Sequence, residues 1–93
     1  MQHPSTNKIT KADAQHVLFF FGSGGVQAGD FTTALFEAIR KADSANFANL
    51  ALGFPGLCAA WKLAMESDEG INVLRPIADE ELATVISIHQ ARQ

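Results

Sequence analysis

The amino-acid sequence predicts an all-α domain, and three observations carry that prediction. Apolar residues recur at helical spacing in one segment after another. Thr, Asp, Ser and Pro stand at the segment starts, where helix caps and first turns favour them. No set of apolar stretches offers strands that could pair with one another. The expected architecture is a compact bundle of about five short helices with no sheet. Their approximate spans are 10–21, 31–42, 45–53, 55–66 and 80–91, with 68–74 a minor one. Residues 1–9 are polar and expected to form a flexible N-terminus, leaving 10–93 as a single helical domain.

The first helix opens at Thr10-Lys11-Ala12-Asp13, a capping-box pattern with an acid at the third helical position. Ala14, Val17, Leu18 and Phe21 share one face, and Phe19 and Phe20 fall off it. The run VLFFF would also suit a buried strand, but it has no partner strand, so the helix is preferred. The second helix takes Asp30 as its N-cap and buries Phe31, Ala34, Leu35, Ala38, Ile39 and Ala42. Glu37 stands four residues before Lys41, the favourable order for a helical ion pair.

Ser44 caps the third helix, with Phe47, Leu50, Ala51 and Phe54 on one side and Asn46, Asn49 and Gly53 on the other. Pro55 marks a boundary and supplies the first turn of the fourth helix. That helix is apolar nearly all round, with Leu57, Ala60, Trp61 and Ala64 on one face, so it is expected at the centre. Ser67 caps a short stretch that Pro76 ends. The last helix opens near Asp79 and places Leu82, Val85, Ile86 and His89 on one face.

Between the first two helices lies GSGGVQAGD, a glycine-rich loop that invites comparison with phosphate-binding loops. Gly24 and Gly29 have Walker spacing, but Asp30 stands where the loop needs its cationic Lys. Gln27 replaces the third small residue of a dinucleotide fingerprint, and Phe21 replaces the first glycine of a nucleophile elbow. The loop therefore reads as a glycine C-cap followed by a flexible turn. His3, His16, His89 and Cys58 lack ligand spacing, so no metal and no cofactor is expected. The acid pairs Asp68-Glu69 and Glu80-Glu81 open helices, where the dipole favours them, and no base or nucleophile accompanies them. No catalytic residue is assigned, and a non-enzymatic role is expected.

Composition narrows the role further. The 93 residues are 47% hydrophobic and only 18% charged, against a usual charged share of about 25%. A small chain with much to bury and little charge to cover its surface suits self-association, a homodimer first. The net charge is −3 and the few Lys and Arg are scattered, which argues against nucleic acid. The run Val17–Phe21 is far too short to span a bilayer, and a lone cysteine fits the reducing cytoplasm. The expected interface residues are Phe19, Phe20, Trp61 and Leu63. The alternative reading is a helix-turn-helix regulator over residues 31–53, with Asn46 and Asn49 contacting DNA.

VLFFFGSGGVQAGDFTTALFEAI followed by LALGFPGLCAAWKLA resembles a group of small uncharacterised proteins encoded by phages of actinobacteria. The likeness covers about residues 14–75. It implies a phage gene product in a bacterial host cytoplasm that acts by binding a host or phage protein. It implies no catalytic residues.

Overall fold

The structure is a computed structural model and describes residues 8–79. Five helices fill that span: α1 (Lys11–Phe20), α2 (Asp30–Lys41), α3 (Ser44–Gly53), α4 (Pro55–Glu66) and α5 (Asp68–Ala78). There is no strand among the described residues, so the all-α expectation holds and VLFFF is helical up to Phe20. The helix expected at 80–91, with Glu80 and Glu81, lies outside the described residues, as does the N-terminus up to residue 7.

The helix ends follow from local chemistry. The Thr10 hydroxyl accepts from the Asp13 N–H at 3.0 Å, and the Asp13 carboxylate accepts from the Thr10 N–H at 3.1 Å. This reciprocal pair satisfies two donors that the first turn would otherwise leave open. Ser67 caps α5 as expected, its hydroxyl accepting from the Gly70 N–H at 3.2 Å. Pro55 occupies the first turn of α4. Three starts or stops differ from the sequence reading. Gly29 is the N-cap of α2, and Asp30 is its first helical residue, where its charge faces the positive dipole end. Asp43 caps α3 in place of Ser44, because its carboxylate makes a 2.8 Å charge-assisted bond to the Asn46 N–H. Helix α5 runs through Pro76 to Ala78. Pro76 removes one donor near the helix end, but the Asp79 N–H still reaches the Arg75 carbonyl at 3.1 Å. Burial of Ala78, and a 3.2 Å bond from Gln15 Nε2 to its carbonyl, hold that last turn in place.

Helices α1, α4 and α5 pack directly on one another, and α3 packs on α4. The largely apolar α4 is thus central, burying Leu57, Cys58, Ala60, Trp61 and Ala64. Two glycines permit the closest approaches. Gly70 lies against the Leu63 backbone where α5 crosses α4. Gly56 lies against the Lys8 carbonyl and the Asp13 carboxylate where α4 meets the start of α1. A side chain at either position would push the elements apart.

Helix α2 reaches this core through its side chains. Phe36 is almost fully buried, its ring 5.0 Å from Phe20 and 5.8 Å from Trp61. Burial of a ring that size is worth about 1.5–3 kcal/mol. The buried face of α2 is therefore Leu35, Phe36 and Ile39. The expected stripe is corrected at its edges: Phe31, Ala34 and Ala38 are exposed. Glu37 pairs with Arg40 at 2.9 Å, not with Lys41, one residue closer on the same helix surface.

Candidate protein-contact face

The glycine loop resolves into a helix terminator. Gly22 has φ of 73°, a conformation that glycine adopts without penalty. Its N–H reaches the Phe19 carbonyl at 3.0 Å, and the Ser23 N–H reaches the Leu18 carbonyl at 2.9 Å. That is the Schellman pattern. The segment expected as a flexible turn is then fastened on both sides. The Val26 N–H donates to the Gln15 carbonyl at 3.1 Å, and Gly25 sits too close to Gln15 to carry a side chain. Arg75 Nη1 donates to the Ser23 carbonyl at 3.1 Å. His16 Nδ1 lies 3.1 Å from the Val26 carbonyl. A carbonyl has no proton to give, so Nδ1 is the donor in that bond. A phosphate cradle presents free N–H groups at a helix start. The far end of this loop, Gly29, leads into α2, but residues 23–26 follow the end of α1 with the end of α5 beside them, so two negative dipole ends converge there. Among the described residues the guanidinium at this loop is that of Arg75, and it caps a loop carbonyl.

The four expected interface residues do not form one surface. Trp61 is 4% exposed and belongs to the core. Its ring stands 4.9 Å from Phe21 and 5.4 Å from Phe20, both half-buried, so Phe20 and Trp61 cover each other inside the chain. Phe19 is 46% exposed. Leu63 is half-buried on α4, where its backbone receives Gly70.

A different aromatic pair is open to solvent. The starts of α1, α2 and α4 surround a groove of about 460 Å³. Ala12, Leu35, Pro55 and Leu57 give it an apolar lining, and Lys8, Asp13 and His16 add polar groups. Phe31 and Phe54 line it as well, their ring centroids 6.1 Å apart and tilted by 49°. Phe31 is 69% exposed and Phe54 36%. The sequence reading put Phe31 in the buried stripe of the second helix and Phe54 on one side of the third. A second groove, about 570 Å³, lies between the end of α2, the start of α3 and α4. It mixes Phe47 and Met65 with Arg40, Lys62 and Glu66. Long charged side chains can cover such a groove with their apolar stems.

Cys58 is buried, and burial, then the nearby Asp13 carboxylate, push its thiol above its ordinary value. That disfavours the thiolate a nucleophile needs. Among the described residues no three His, Cys, Asp or Glu are grouped to hold a metal ion. Asp68 and Glu69 are exposed in the first turn of α5. Asn46 and Asn49 are exposed on α3, which carries no Lys or Arg to neutralise a phosphate. No helix among the described residues is long and apolar enough to cross a membrane. The fold and surface thus define a small all-helical domain with an open apolar groove. Comparison with protein-family models, with curated proteins and with solved structures finds no match. The phage resemblance rests on the sequence phrases that suggested it.

Proposed function

We propose that this chain is a non-enzymatic protein-contact module that self-associates. The observation that supports the reading is the amount of large apolar side chain left in solvent on so small a domain. Phe31, Leu52 and Met65 are each more than half exposed, and Phe19, Phe54 and Val73 add to them. Singly exposed apolar residues are ordinary, but a ring pair flanking an apolar groove is typical of contact surfaces. The sparse charge acts in the same direction, because few Lys or Glu side chains are available to solvate these positions. The DNA-binding alternative gains no such support, since α3 is uncharged. Sedimentation equilibrium across a wide concentration range tests the proposal. A mass rising from that of one chain toward a multiple of it is expected. A single-chain mass at every concentration refutes self-association.

A further inference from the structure

We infer that the face of self-association is the Phe31–Phe54 groove, and that its occupant is the same groove of a second copy, related by a twofold axis. The inference rests on the self-association proposed above and assigns it a surface.

A twofold interface uses one patch on both subunits, so the patch must complement itself. It needs a projection and a hollow side by side. Phe31 is the projection, 69% exposed. The hollow is the groove it borders, about 460 Å³, with Leu35, Pro55 and Leu57 in its lining. That space is ample for an aromatic ring from outside. Charge makes the same selection. A groove of one sign would favour a partner of the other sign. This groove carries Lys8 and Asp13 together, and Asp30 directly precedes Phe31. Both signs on one patch let each copy offer the other its counter-charges. Area is adequate as a nucleus. The two rings expose about 200 Å² between them, taking roughly 200 Å² for a whole Phe side chain. A standard interface buries about 800 Å² per partner, so the rings form its centre and the three helix starts its rim.

The second groove is the natural competitor, and it supplies the control. Met65 is an exposed side chain there and is not part of the Phe31 groove lining. The experiment is sedimentation equilibrium on the full chain, on Phe31→Glu and on Met65→Glu. Position 31 lies in the first turn of α2, where an added acid suits the helix dipole, so Phe31→Glu is expected to fold. Circular dichroism checks this, and Phe31→Ala is the second variant if it does not. The expected result is a dissociation constant at least tenfold weaker for the Phe31 variant and changed less than threefold for Met65→Glu. If the wild-type chain associates but the Phe31 variant weakens less than tenfold, this face is wrong and self-association stands. The face is equally wrong if Met65→Glu weakens association as much as the Phe31 change does. If the wild-type chain stays monomeric, both inferences fall.

Discussion

Gly70→Ala isolates the α4–α5 contact, because two effects of known size oppose each other there. Replacing a helical glycine by alanine gains up to about 1 kcal/mol from backbone entropy and propensity. The added methyl would stand against the Leu63 carbonyl, its carbon and its Cα. These are backbone atoms of a helix, so no side-chain rotation relieves the overlap. Overpacking of this kind costs about 1–3 kcal/mol, and here the cost falls at the upper end because α5 must shift bodily. The net expectation is a loss of about 1–2 kcal/mol. For a domain of this size that lowers the melting temperature by roughly 5–15 °C. Gly53→Ala is the matched control. Gly53 is helical, exposed and has open space where a methyl would go, so the same substitution gains up to about 1 kcal/mol. Urea unfolding followed by Trp61 fluorescence measures both. Opposite signs are required. A Gly70→Ala protein as stable as the parent, or two shifts in the same direction, refutes the close approach of α5 to Leu63.

Three further outcomes are expected. Asp43→Ala removes the bond to the Asn46 N–H and is expected to lower stability by about 0.5–2 kcal/mol, read as a shifted urea midpoint with an unchanged slope. Phe36→Ala empties the centre of the ring cluster and is expected to cost about 3–5 kcal/mol, enough to unfold a marginal domain, with the near-ultraviolet dichroism of Trp61 lost. The Cys58 thiol is held above its ordinary value, so the folded state keeps a proton that the unfolded state releases. Stability is full below the ordinary thiol range and declines as pH rises through it, and urea midpoints from neutral to alkaline pH should fall less steeply in Cys58→Ala.

Where an element's signal was local, the sequence showed it. The Thr10–Asp13 box, the Ser67 cap, the Pro55 start and the glycine terminator each depend on residues within one turn, and each formed as read. Asp43 and Ser44 are adjacent good caps, and propensity alone does not rank them. The turn beyond Pro76 was hidden because its support is distant in sequence: Gln15 holds Ala78 from 63 residues away. The same limit governed the contact face. Periodicity marks Phe20 and Trp61 as prominent apolar residues, but it does not say that they meet. Their 5.4 Å contact needs α1 and α4 brought together, and it places Trp61 in the core and half-buries Phe20, while Phe19 stays exposed.

Helix geometry explains why the open ring is Phe31. Successive residues turn by about 100°, so positions five apart lie about 140° apart around the axis. Phe31 and Phe36 are such a pair. Leu35 and Ile39 lie between them around the axis, so the buried face of α2 reaches from Leu35 to Phe36 and leaves Phe31 at its edge, in the first turn. Phe20 and Trp61 already present ring surface to α2, and Phe36 packs against both while Leu35 and Ile39 flank it. Among the described residues, the ring that Phe31 meets is Phe54, and no ring cluster covers Phe31 as Phe20 and Trp61 cover Phe36. A second surface can cover it, and the patch that needs covering already contains the hollow that a second Phe31 would fill.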